Sequence, residues 1–77
     1  MVMGFVLIRA APTREHDVYR ALLSVREIVE IVPLFGDFDM IARLDAPTLE
    51  GMEQIVKERI RPAAGVAHTK VLVTTKF

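Results

Sequence analysis

Residues Ile28 to Asp45 read IVEIVPLFGDFDMIARLD, two apolar runs joined across Phe35-Gly36-Asp37-Phe38. Both runs are rich in Val, Ile and Leu, and the joint sets Gly beside Asp, the pattern of a β-hairpin. In the second run Phe38, Met40, Ala42 and Leu44 alternate with Asp39, Ile41, Arg43 and Asp45, which assigns the two sets to opposite faces of a strand. The first run is apolar on almost both faces, broken by Glu27, Glu30 and Pro33. A strand of that kind needs a helix over one face and something else over the other. In a chain of 77 residues the second cover is expected to be another subunit.

Upstream of the hairpin, Val2 to Ala10 is nearly unbroken apolar sequence, as in a central strand buried on both faces. Ala11-Pro12-Thr13 ends it, and Thr13 is expected to cap a following helix, with Glu15 in the first turn, where negative charge suits the helix dipole. From Arg14 to about Val25 the period is helical: Val18, Ala21, Leu22 and Val25 form one apolar stripe, and Arg14, Glu15, Asp17, Arg20 and Ser24 a solvated face. Downstream, Ala46-Pro47-Thr48 opens a second helix, with Pro47 at or near its first turn. Its inward stripe is expected to be Leu49, Met52, Val56 and Ile60, helped by Ile55, and Glu53 stands four residues before Lys57 as a surface pair. Gly51 inside this helix signals close packing or a late start. After Arg61-Pro62-Ala63-Ala64-Gly65 comes a final strand, Val66 to Phe77. It places Ala67, Thr69, Val71, Val73 and Thr75 on one face, and Val66, His68, Lys70, Leu72, Thr74 and Lys76 on the other, with lysines guarding an edge.

The order strand, helix, strand, strand, helix, strand gives a ferredoxin-like βαββαβ domain of the α+β class. Right-handed crossovers put both helices on one face of a four-stranded antiparallel sheet, with expected strand order 4-1-3-2. The other sheet face stays bare. Composition points the same way: the chain is 52% hydrophobic with no cysteine, so neither disulfides nor a thiolate metal site can supplement a small core. A chain of this size buries only about 60–65% of its unfolded surface, and association is the usual remedy. We read the apolar excess as interface, and a homodimer packed sheet to sheet follows.

Ten basic and ten acidic residues balance, without a Lys/Arg cluster that could track a phosphate backbone, so direct nucleic-acid binding is not expected. Neither a signal sequence nor a membrane span is indicated, and the expected location is cytoplasmic. Ser24 lies late in a helix without a nucleophile-elbow context, His16 and His68 lack metal-ligand spacing, and the glycines at 4, 36, 51 and 65 form no phosphate loop. No cofactor and no metal are expected. Asp37 and Asp39 carry the remaining signal. Aspartate beside Gly is ordinary turn chemistry, since it bonds local amides and tolerates unusual dihedrals. Yet Asp39 opens a strand, and a carboxylate at an interface pocket could accept an α-ammonium group while the amides around Gly36 receive a carboxylate. Together they describe an amino-acid-sized site.

The run Val32-Pro33-Leu34-Phe35-Gly36-Asp37-Phe38-Asp39, followed by an alternating strand, resembles the Gly-x-aromatic-Asp signature of the Lrp/AsnC effector domain, also called the RAM domain. Ile60-Arg61-Pro62-Ala63-Ala64-Gly65-Val66 is similar to that family's passage into its final strand, and the resemblance covers residues 1–77 as one domain. It implies a homodimer formed through the sheets, assembly of dimers into an octameric or decameric ring, and an amino-acid effector held in clefts between dimers. Carried over by position, Pro33, Gly36, Asp37, Phe38 and Asp39 at the tip, with Thr69 and Val71 on the final strand, become the ligand-binding candidates, Asp39 as partner of the ammonium group. Val71 stands where many members have a second threonine, and Phe38 replaces the more usual tyrosine. Members with a helix-turn-helix are transcription regulators. The chain opens on the first strand, so the resemblance implies a stand-alone effector module, not an enzyme, that binds a ligand itself or co-assembles with full-length regulators. Two other readings stay open: a small dimeric ferredoxin-like enzyme of monooxygenase type, and an assembly module that binds nothing.

Overall fold

The structure, a computed structural model, describes residues 1–75. It consists of β1 (Val2–Ala10), α1 (Glu15–Leu23), β2 (Ile28–Pro33), β3 (Met40–Ala46), α2 (Leu49–Ile55), a π-helical turn (Val56–Ile60) and β4 (Val66–Val73). The four strands form one sheet in the order β2-β3-β1-β4, with every neighbouring pair antiparallel. This is the expected ferredoxin-like order 4-1-3-2, read from the opposite edge.

The two-residue period of the central strands decides which side chains form the core. Val6, Ile8 and Ala10 of β1 and Met40, Ala42, Leu44 and Ala46 of β3 face the helices and are buried. They meet Val18 and Leu22 of α1, Val25 just beyond it, Met52 of α2, and Val56 and Ile60 of the π turn. Among the described residues no polar side chain is buried in this layer. Gly4 lets α2 approach the sheet, because a Cβ there would stand 2.8 Å from both Sδ and Cε of Met52. The opposite sheet face carries Phe5, Leu7, Ile41 and Arg43, each half-buried only by its neighbours, together with exposed Val32 and Leu72. No helix covers it.

Helix boundaries and faces depart from the sequence reading where local hydrogen bonding overrides periodicity. Thr13 does not cap α1. It lies at φ +69°, and Arg14 takes the capping position with no side-chain bond to the helix. Ala21 is exposed, and half-buried Tyr19 flanks the Val18–Leu22 stripe in its place. At α2 the cap is Thr48, whose Oγ1 accepts the Gly51 amide at 3.0 Å, so Pro47 lies outside the helix. Gly51 is small because a Cβ would press on that hydroxyl at 3.2 Å. Leu49 does not join the inward stripe and is 46% exposed. Glu53 and Lys57 form no ion pair among the described residues; Gln54 instead donates to Glu58.

The π turn is the element that the sequence reading lacks. The Arg61 amide bonds the Val56 carbonyl at 2.9 Å, an i→i−5 closure. The wider turn still keeps Val56 and Ile60 buried. β4 ends at Val73, short of the expected Phe77; Lys76 and Phe77 lie outside the described residues. A register shift opposite Arg9/Ala10 pairs Arg9 with His68 but Ala10 with Val66, skipping Ala67. The bulge breaks the alternation, so Val66 packs on the core and not on the polar face assigned to it.

Candidate functional site

Between β2 and β3 the chain turns through Leu34 to Asp39, and Gly36 at its tip has φ +140°, a conformation that a side chain would strain. Phe35 projects into solvent, 106% exposed. The amides of Gly36, Asp37 and Phe38 donate to no other described residue. The tip is nevertheless tied to β1 from both sides. Arg9 Nε donates to the Asp37 carbonyl at 2.8 Å, and its guanidinium lies 5.3 Å from the Phe38 ring centroid. Phe38 in turn stacks on His68 of β4, with centroids 6.2 Å apart and planes at 23°. Phe38 therefore sits on the uncovered sheet face with Arg9 and His68, not on the helix-facing side with Met40. The bend at residues 36–39 precedes β3, so strand alternation does not govern Phe38.

Asp39 closes the base of the tip. Its amide donates to the Ile8 carbonyl at 2.8 Å, its carbonyl accepts the Leu34 amide at 2.8 Å, and its Oδ2 accepts the Ala10 amide at 2.7 Å. The carboxylate takes over where the β1–β3 ladder runs out. This is not the local-amide bonding expected of an Asp beside Gly: the charged acceptor engages an amide 29 residues away, on β1. Oδ1 has no partner among the described residues.

The seven candidates divide among separate surfaces of one protomer. Pro33 and Asp39 line a cleft of about 320 Å³ between α1 and the hairpin base, with Glu15, His16, Tyr19, Leu34 and Met40 completing its walls. Thr69 lies in a second concavity with Arg61, Val66, Ala67 and His68, where Arg61 Nε donates to Thr69 Oγ1 at 3.1 Å. Val71 lines a third groove, against Leu49, Val56 and Lys57. Gly36 and Asp37 stand outside all three. Sequence reasoning missed Glu15, His16 and Tyr19 as a group, having set Glu15 on a solvated face. The available signal was the four-residue step from Glu15 to Tyr19, which puts both on one side of α1.

A filled interior, a bare sheet face and a polar hairpin tip define a ferredoxin-like module that presents its functional groups at its rim. The chain belongs to the Lrp/AsnC ligand binding domain family, whose model matches residues 3–76. FFRP-DM1, known from a crystal structure, is 28% identical with a TM-score of 0.90, the match covering 97% of this chain and 100% of that one. TTHA0845 from Thermus thermophilus is 25% identical with a TM-score of 0.91, covering 100% and 96%. The transcriptional regulator NMB0573 of Neisseria meningitidis, crystallised as an L-Met complex, shares the fold at 13% identity and a TM-score of 0.87. There the match covers 97% of this chain but 50% of the regulator. No curated protein matches the chain.

Proposed function

We propose that this chain is a non-catalytic effector module: it binds an amino acid at the hairpin tip, in seams between sheet-packed homodimers. The observation that carries the reading is the tip itself, three amides without partners among the described residues beside a carboxylate that has one oxygen uncommitted. The amides suit the carboxylate end of an amino acid, and Asp39 Oδ1 suits its ammonium end. The L-Met complex of the Neisseria relative supports an amino acid as the ligand class. Family membership supports a regulatory role, exerted through assembly into an octameric or decameric ring or through co-assembly with full-length Lrp/AsnC regulators.

Two features support assembly. The uncovered sheet face holds a pit formed by Phe5, Glu30, Val32, Ile41 and Arg43, and Arg43 Nε is buried there without a hydrogen-bond partner among the described residues. A second sheet would cover the apolar groups and offer carboxylates to that nitrogen. The interior supports binding over catalysis, because the space between helices and sheet is filled by Ile8, Leu22, Leu44, Met52 and Ile60, with nothing polar among them. Calorimetry against the common amino acids tests the ligand, and light scattering tests the assembly. Binding heat from at least one amino acid at millimolar concentration or below is expected. Silence from all of them would remove the ligand claim.

A further inference from the structure

Two apolar features of the protomer have no counterpart within it. The first is Phe35, which stands wholly in solvent at the crown of the hairpin, with exposed Leu34 behind it. A bare aromatic on a loop tethered from both sides is the form that an interface anchor takes. The second is a groove of about 440 Å³ between α2 and β4. Leu49, Val71 and Val73 make its apolar surface, and Leu49 and Val73 are exposed there. Lys57 and Arg61 stand on the rim against a single carboxylate, Glu53. Neither cation forms an ion pair among the described residues, and Arg61 commits only its Nε, to the Thr69 hydroxyl. The tip carries the opposite charge. Two residues beyond Phe35, Asp37 offers its carbonyl to Arg9, while its carboxylate has no partner among the described residues.

Knob and groove match in polarity and charge, yet one chain cannot bring them together. Val71 and Val73 lie on the helix side of β4, opposite Val6 and Gly4. The tip is held to the uncovered side by Arg9 and by the stacking of Phe38 on His68. We propose that Phe35 of one protomer fills the α2–β4 groove of a second copy of this chain, with Asp37 facing Lys57 and Arg61 of that copy. The contact joins two different surfaces, so it is heterologous and propagates from copy to copy until a ring closes, whereas sheet-to-sheet pairing joins like to like. One aromatic anchor and one charge cluster fall below the roughly 1,200 Å² of a standard interface, so the contact holds only where several act together. A sheet-paired dimer presents two knobs and two grooves and meets that condition. The inference rests on the assembly half of the proposed function and is independent of its effector half.

The test follows the mass of the full chain by light scattering over a range of protomer concentrations, with no amino acid added. Wild type is expected to form multiples of the dimer. Phe35→Ala removes the knob without touching the interior, and is expected to raise the concentration at which dimers assemble at least tenfold while the dimer itself is kept. Lys57→Glu is expected to weaken assembly in the same direction, and adding Asp37→Lys to it to recover part of the loss, a reciprocity that separate structural roles would not produce. Because the chain has no cysteine, oxidation of a chain carrying both Phe35→Cys and Leu49→Cys is expected to give a ladder of linked copies on a denaturing gel. Either change alone can link copies only in pairs. A wild type that stays dimeric, or Phe35→Ala that assembles at the wild-type concentration, would overturn the proposal and leave the sheet pairing standing; a monomeric wild type would remove both. Calorimetric silence toward amino acids from a chain that assembles through Phe35 would sink the effector reading alone.

Discussion

Asp39→Ala and Asp39→Asn, compared with each other, separate what Asp39 does for the fold from what it does for a ligand. In the folded chain Oδ2 receives the Ala10 amide at 2.7 Å, and Ala10 is 7% exposed, so water cannot easily replace that acceptor. Truncation to Ala removes a charge-assisted bond and strands a nearly buried N–H, a loss of about 2 kcal/mol. Asn retains a carbonyl oxygen at nearly the same place and is expected to cost under about 1 kcal/mol. For a domain of this size a loss of about 2 kcal/mol lowers the melting temperature by roughly 8–16 °C. Urea titration at fixed protomer concentration reads the difference without confusion from assembly. The stability ranking is wild type, then Asn, then Ala, whereas a ligand's ammonium group would reject Asn and Ala alike. Stability of Asp39→Ala within about 0.5 kcal/mol of wild type would refute the claim that this carboxylate completes the β1–β3 ladder.

Other sites test other links in the chain of reasoning. Thr48→Ala deletes the acceptor of the Gly51 amide and should cost about 1 kcal/mol in chemical denaturation. Gly4→Ala places a methyl 2.8 Å from the Met52 sulfur and should cost about 1–3 kcal/mol; combined with Met52→Val, the two changes should cost less than their sum. Ile41→Glu, on the uncovered face of a central strand, should reduce the mass seen by light scattering to that of one protomer while the far-ultraviolet circular dichroism is kept. An unchanged mass for Ile41→Glu would remove sheet-to-sheet pairing as the mode of assembly.

The architecture was legible because β3 alternates without interruption and β1 is apolar almost throughout, as central strands should be. Met40, Ala42 and Leu44 point where their period places them, and so do Val18 and Leu22 of α1. What escaped the sequence lies where the period breaks. Phe38 belongs to a bend and not to β3, so counting back from Met40 assigns it to the wrong face. Val66 is turned inward by the bulge at Ala67, which depends on how β4 registers against β1 and not on its own residues. The π turn at Val56–Ile60 inserts one residue into a helical count, and a helical wheel carries no sign of it. Thr13 satisfies every compositional preference for a cap but is spent on a left-handed turn. The motif residues of the tip were visible as turn chemistry. The cleft beside α1 was not, because it joins side chains from two elements that only the packing of α1 on β2 brings together.

The dispersal of the candidate residues bears on how a single effector could touch them. The tip is held by β1 through Arg9, Ile8 and Ala10. It cannot swing to meet a distant strand without breaking three hydrogen bonds of 2.7–2.8 Å and an arginine–ring contact of 5.3 Å. Thr69 and Val71 meanwhile face the helix side of β4, opposite Ile8 and Val6. Phe38 and its His68 partner lie on the other side of the same sheet. Thr69 and His68 still share one concavity at the β4 edge, whereas Val71 lies in a separate groove. An effector that engages both the tip and Val71 would take them from different copies of the chain, the tip of one protomer against the final strand of another. Removing either end should then abolish binding in its own variant, whereas mixing a tip variant with a β4 variant should restore a fraction of the sites. Recovery of binding in such mixed assemblies would show that the site is shared, and binding that survives in the β4 variant alone would confine the effector to the tip.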